Sequence, residues 1–229
     1  MSAGVAAAAY ATYAGVTWLR YGQASPPAPE NQDALLDRFM PAYDIAERHH
    51  IRVAAPAEIT FTTACKTDLQ QSPIARVIFR AREVILGSEP DAAARPNGLL
   101  ALTQSLGWRV LAEVPGREVV MGAVTRPWEA NVTFRGLPPD EFAAFDEADY
   151  VKIAWTLRAD PLEDGGCIFR TETRAIATDM HARDKFRGYW ALVSPGVALI
   201  RRMMLEPVRI EAERRARAMA EGPALVAAV

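Results

Sequence analysis

The sequence predicts an α+β domain in which a meander of antiparallel strands precedes a long C-terminal helix. Three observations carry this. Several runs between residues 108 and 178 alternate apolar and polar positions, as half-buried strands do. The connections between these runs are too short for parallel crossovers, so neighbouring strands must run antiparallel. Residues 180–221 then change to helical spacing, with Phe186, Tyr189, Trp190, Val193, Val197, Ile200, Met203, Met204 and Val208 recurring on that period.

Composition bounds what such a domain can be. The chain has 229 residues, half of them hydrophobic, which suits one domain or one domain with an appendage. A formal net charge of −2 with mixed signs leaves no basic footprint for nucleic acid. Cys65 and Cys167 lie far apart and form no metal-ligand spacing; they read as small buried thiols rather than a disulfide, which fits a reducing compartment. His49, His50 and His181 accompany no Cys/His cluster. The sequence holds no phosphate-cradling glycine loop, no GxSxG and no HExxH, so no metal, no cofactor and no catalytic residue is expected.

From the N-terminus, residues 1–21 read as an apolar helix. Its 3–19 stretch, AGVAAAAYATYAGVTWL, is charge-free, at the short limit for a membrane span and rich in alanine rather than leucine. Two readings stand side by side, a membrane anchor and an alanine-rich helix packed on the protein. If the stretch inserts, Arg20 favours keeping the folded domain on the cytoplasmic side, the location expected in either case. Residues 22–35, with the proline-rich GQASPPAPENQD, read as a linker. The folded domain is placed at 36–222, and 223–229 form a tail.

Within it, IAERHHIRVAA reads as the first strand, ending at Pro56, which suits the start of a helix. AEITFTTACKTDL continues as a short helix. SPIARVIFRAREVIL (72–86) reads as a second, with Ile74, Val77, Ile78, Ala81 and Ile85 on one stripe. WRVLAEVP and REVVMGAV form a hairpin turned at Pro115-Gly116. ANVTFRGL continues the meander, and PPDEFAAFDE (138–147) is a helical insertion. YVKIAWTLRAD and CIFRTETRAIAT supply two further strands. Pro195-Gly196 is expected to kink or break the last helix, and Pro207 to do so again.

This order resembles the helix-grip fold of the START-like superfamily, also called SRPBCC or birch-pollen-allergen-like. The likeness rests on HIRVAAPAEIT, on LGWRVLAEVPGREVVMGAV, and on FRTETRAIATD entering FRGYWALVSPGVALIRRMM, and spans roughly residues 40–220. The resemblance implies a curved sheet wrapped around the last helix, with an apolar cavity between them that takes a hydrophobic small molecule or lipid. It carries no catalytic residue, because the superfamily shares no catalytic signature. An enzyme of the same fold acting on an apolar substrate, and a membrane-tethered interaction module, are the alternatives.

The candidate lining of that cavity is Trp108, Met121, Trp128, Glu129, Trp155, Phe169, Tyr189, Trp190 and Met203, large side chains that suit a pocket but equally suit a core. Pro127 interrupts the sheet, so Trp128 is expected to close the pocket mouth and Glu129 to orient a polar group of the ligand. The plainer reading is an edge proline beside a packing tryptophan. The enzyme alternative would use Glu129, Glu172 and His50. In CIFRTETRAIAT, alternation separates Arg170, Glu172 and Arg174 from Phe169, Thr171 and Thr173. The charged side is expected to face solvent, since Arg and Glu are seldom buried unpaired.

Overall fold

The computed structural model describes residues 3–67 and 96–226. In chain order the elements are α1 (Ala3–Arg20), a 3-10 turn (Pro29–Asn31), α2 (Ala34–Asp37), β1 (Ile45–Val53), α3 (Ala57–Lys66), α4 (Leu99–Ser105), β2 (Arg109–Val114), β3 (Glu118–Thr125), α5 (Pro139–Ala144), β4 (Val151–Pro161), β5 (Cys167–Ala177) and α6 (Met180–Val226). The helix expected over 72–86 lies outside the described residues.

The strands form one five-stranded antiparallel sheet in the order β1-β5-β4-β3-β2. With the long C-terminal helix laid on it, this is the arrangement of a helix-grip fold. The hairpins close where the sequence asks for them. Gly116 takes φ +70° between β2 and β3, and Gly165 takes φ +80° between β4 and β5, a backbone that side chains with a Cβ rarely adopt. A bulge between Val110 and Ala112 shifts the β2 register by one residue. ANVTFRGL is not a further strand. It makes a single bridge, Val124 to Arg135, after Pro127 has withdrawn a donor from the ladder.

Both faces of the sheet are covered. On the inner face, Val119, Met121, Trp155, Leu157, Cys167 and Phe169 pack with α3 and with Leu205, Val208 and Ala212 of α6. A second inner cluster joins Ile45, Val151 and Ala175 to Tyr21, Phe186 and Trp190. On the outer face, Val120, Val124 and Ala154 pack with Leu36, Phe39 and Met40 and with Phe142 of α5. Fully burying each such side chain contributes about 1.5–3 kcal/mol, so both layers are held firmly.

The prolines do not break the last helix. It runs unbroken from Met180 to Val226 through Pro195-Gly196 and Pro207. Each proline removes one rung of the ladder. The helix persists because β1, β5 and α3 dock along one side and α1 along another. Among the described residues no helix is long and apolar enough to cross a membrane. Helix α1 lies against α6, where Arg187 Nε donates to the Trp18 carbonyl at 2.9 Å and stacks its guanidinium 4.6 Å above the indole. The Tyr10 hydroxyl also donates to the Leu192 carbonyl.

Candidate functional site: a polar band between the sheet and the last helix

The side of α6 that meets the sheet is written at positions 190, 194, 197, 201, 205, 208 and 212. Steps of four and three keep these on one stripe. Trp190, Val197, Leu205, Val208 and Ala212 are apolar, as docking requires. Ser194 and Arg201 are not. Ser194 is fully buried, and its hydroxyl has no hydrogen-bond partner.

The sheet answers with polar residues of its own. Alternation puts Glu47 and His49 of β1 on the inner face with Ile45 and Val53, and Thr171 and Thr173 of β5 there with Phe169 and Ala175. Register aligns Glu47 with Thr173 and His49 with Thr171. The two layers meet where Arg201 Nη1 donates to Thr171 Oγ1 at 2.8 Å. Thr173 Oγ1 and His49 Nε2 are buried and without a hydrogen-bond partner, the latter 3.7 Å from the Glu47 carboxylate. A band of polar side chains thus separates the two inner apolar clusters. The lining expected from the resemblance is apolar; the described residues give a mixed one.

Burial sets the electrostatics of this band. Desolvation pulls the Arg201 guanidinium down to about 10, against a weaker opposing pull from Glu47. It pushes the Glu47 carboxyl up, with Arg201 and Arg202 working against it. It pushes His49 down, and the nearby arginines and His50 act in the same sense. At neutral pH the band therefore holds a charged guanidinium, a neutral imidazole and a carboxyl drawn toward neutrality. A groove of about 380 Å³ runs along the β1 edge, lined by Arg48, His49, His50, Ile51, Arg202, Leu205 and Glu206; His49 is the residue that it shares with the band.

The outer face carries a different kind of polar cluster, and here the sequence expectation fails. Arg170, Glu172 and Arg174 do not face solvent; the Arg174 and Glu172 side chains are 1% and 7% exposed. Residues 22–44 lie across them. Arg174 donates to Glu172 at 2.7 Å and to the Met40 carbonyl at 2.8 Å, and pairs with Asp37. Arg48 reaches Glu172 at 2.9 Å, the Tyr43 hydroxyl at 2.7 Å and the Ser25 carbonyl at 3.1 Å. Arg158 and Arg170 share Asp160, and each also holds the covering segment, Arg158 at the Gln32 carbonyl and Arg170 at the Asn31 side chain. The charges are buried because they are paired. Alternation gives the face of a strand residue but not what lies on that face.

Asp33 and Glu118 complete this outer cluster. Asp33 caps α2 by accepting from Leu36 N at 2.8 Å. Its carboxyl also meets that of Glu118. Burial, with the Asp33 charge and hydrogen bond added, raises Glu118 to about 8. A hollow of about 220 Å³ remains beneath the covering segment, lined in part by Asn31, Asp33, Arg158, Arg170 and Glu172.

The residues singled out from sequence scatter. Met121, Trp155 and Phe169 are buried in the inner core, with Trp108 packed against them and its ring 5.0 Å from Phe134. Trp190 is buried in the second inner cluster, and Tyr189 and Trp128 pack on its edge. Met203 is half-buried. Glu129 is exposed, 3.5 Å from Arg126. Glu172 and His50 lie on the outer side by alternation, His50 exposed. None of the three residues named for an enzyme thus shares the inner space. Glu47, Ser194 and Arg201 escaped the sequence reading, and His49 and Thr173 were noted there without being placed in a site. The available signal was a serine and an arginine set into an otherwise apolar helical stripe. Among the described residues no three His, Cys, Asp or Glu side chains gather as a metal set.

No protein-family model matches the chain, and no curated protein does. Solved structures give remote likenesses. Protein CV1439 from Chromobacterium violaceum is 17% identical, with 68% of this chain and 96% of that one covered and a TM-score of 0.25. CalU16 from Micromonospora echinospora is 17% identical over 77% and 88%, TM-score 0.27. The Zhui aromatase/cyclase from Streptomyces sp. R1128 is 15% identical over 76% and 96%, TM-score 0.24. At these scores the fold rests on the chain's own topology.

Proposed function

We propose that this protein binds a small molecule, largely apolar but with a polar group, between the inner face of the sheet and α6. One observation carries the reading: Thr173 Oγ1, Ser194 Oγ and His49 Nε2 are all buried and without a hydrogen-bond partner on the surfaces that face one another there. Buried polar atoms are nearly always satisfied, by protein, water or ligand. Leaving one bare costs about 1–3 kcal/mol. Three in one band, flanked on both sides by apolar clusters, fit a ligand whose body is greasy and whose polar group is held midway. The START-like resemblance supports the same location. Native mass spectrometry of the purified chain, before and after solvent extraction, tests it. A co-purified small molecule lost on extraction and regained on soaking is expected. The reading fails if the protein carries none and binds nothing from a panel of lipids and polyketides.

A second reading is favoured by the Glu47–His49 pair. A carboxyl shifted up and an imidazole shifted down, 3.7 Å apart in a desolvated setting, are the makings of a proton-transferring couple. On that reading the chain is an enzyme of the helix-grip fold acting on an apolar substrate. His49→Gln would then stop conversion of the bound molecule, a loss far larger than any change in ligand affinity.

A further inference from the structure

We infer that the molecule bound in the inner band is a small apolar acid, its carboxylate held by Arg201. This rests on the binding reading above and adds the ligand's chemical class. Arg201 sits in the middle of the docking stripe, yet it hydrogen-bonds a neutral hydroxyl, Thr171 Oγ1. Among the described residues no carboxylate lies within ion-pair distance of its guanidinium, and Glu47 acts on it only through the field. The outer face shows how this chain matches its other arginines beneath a covering segment. Arg158, Arg170 and Arg174 each close on a carboxylate within 3 Å. Arg201 is half-buried, and a guanidinium drawn part-way out of water without an anion is poorly compensated; a carboxylate matches its planar fork with two parallel hydrogen bonds.

The neighbours suit the same guest. Thr173 and Ser194 offer hydroxyl donors that donate to nothing in the free protein. Burial draws Glu47 toward its neutral form, which lowers its repulsion of an incoming anion. The groove along β1 gives the rest of the molecule a place, with Ile51 and Leu205 as its apolar wall and Arg48, His50, Arg202 and Glu206 as its polar flanks. Its 380 Å³ is the size of a site for a small organic molecule. Ser194 lies two helical turns from Arg201, roughly 10 Å along the axis. The hydroxyl at Ser194 would therefore meet a second polar atom of a longer acid rather than the same carboxylate.

Isothermal titration of the full chain with decanoate and with 1-decanol, each below its aggregation concentration, tests this. Decanoate should bind about tenfold or more tightly than the alcohol, the preference that a charge-assisted hydrogen bond gives over a neutral one. Arg201→Gln should bring the acid down to the level of the alcohol and leave alcohol binding in place. Arg201→Lys keeps the charge without the fork and should fall between them. Circular dichroism checks that each variant is folded. If Arg201→Gln is not, the acid-to-alcohol ratio of the unaltered chain and of Arg201→Lys decides. Equal binding of acid and alcohol by the unaltered chain overturns the acid assignment and leaves the binding reading standing. Binding of neither overturns the acid assignment, and overturns the binding reading too if no molecule co-purifies and nothing from the lipid and polyketide panel binds.

Discussion

The two faces of the sheet bury charge in different ways. Outside, five arginines (Arg48, Arg117, Arg158, Arg170 and Arg174) stand among Asp33, Asp37, Glu118, Asp160 and Glu172, and each arginine reaches a carboxylate. Inside, one arginine stands among two threonines, a serine, a histidine and a carboxyl drawn toward neutrality. In the outer cluster the charges are matched by one another, although Arg48 Nε, Arg174 Nη2 and Glu118 Oε1 are buried without a partner, and its bonds tie residues 22–44 to the strands. The inner one is open. Paired burial of this kind is architecture; unpaired burial is where a second molecule is wanted. The contrast stands or falls on removing one arginine from each face.

The largest effect is expected outside. Arg174→Met removes the cation that Glu172, Asp37 and the Met40 carbonyl share. Breaking a buried pair from one side costs about 3–5 kcal/mol, because the remaining charge is left uncompensated. For a domain of this size that is a fall in Tm on the order of 10 °C. The double variant Glu172→Leu/Arg174→Met should be less destabilised than Arg174→Met alone, since it strands no carboxylate. Thermal and urea unfolding read both. A double variant worse than the single one would mean that the pair contributes more than it costs to bury, and the architectural reading would need revision.

The next effect is in pH. The folded protein holds the Glu118 carboxyl at about 8, against a usual value of 4.5. The folded state thus binds this proton more tightly than the unfolded chain. The stabilisation is complete below about pH 4.5 and is lost as pH rises through about 8. Glu118→Gln keeps the hydrogen-bonding shape and removes the titration. It should stabilise at pH 8 on the order of 1–2 kcal/mol, less than the shift implies because the proton is shared with Asp33. Near pH 4.5 it should change little. Urea midpoints across this range measure it, and parallel curves for both proteins would deny Glu118 the role.

Much of the architecture was legible from periodicity. The extents of β1, β4 and β5, the hairpin at Pro115-Gly116 and α5 are set by alternation, turn chemistry and the paired prolines. What was not legible depends on contacts between distant segments. CIFRTETRAIAT reads as two faces, and the inner assignment of Phe169 and Thr171 holds. The charged face looked wet because nothing in the local sequence says that residues 22–44 return to cover it. The proline-rich composition that suggests a spacer equally suits a chain laid flat along a sheet, where few backbone donors need partners. The expected breaks at Pro195 and Pro207 failed for a related reason, since tertiary docking outweighs a lost rung. The inner band was the least visible. His49 and Glu47 are two apart on one strand, and their partners Thr173, Ser194 and Arg201 come from more than 120 residues away.

Inside, the same kind of substitution should do far less. Arg201→Met deletes one hydrogen bond to Thr171 and one half-buried charge, terms of opposite sign. Stability should stay within about 1 kcal/mol of the unaltered chain. A loss matching that of Arg174→Met would erase the difference between the faces and reveal Arg201 as a structural ion.

Ser194→Ala is the smallest and the most discriminating change. In the free protein the hydroxyl is buried with no hydrogen-bond partner, so removing it relieves a desolvation cost, and alanine is also the better helix former. The variant should gain roughly 0.5–1.5 kcal/mol when the site is empty. Pro195 offers a competing account. By withdrawing its N–H it leaves the Ala191 carbonyl without its ladder donor, and a serine hydroxyl one position earlier could bend back to the preceding turn. If that bond forms in solution, Ser194→Ala destabilises instead of stabilising. The sign of one urea midpoint therefore separates a serine that mends the helix from a serine held in reserve for a guest. Repeating the measurement with 10-hydroxydecanoate present should shrink the gain, because the ligand's second polar group then gives the serine hydroxyl something to bind.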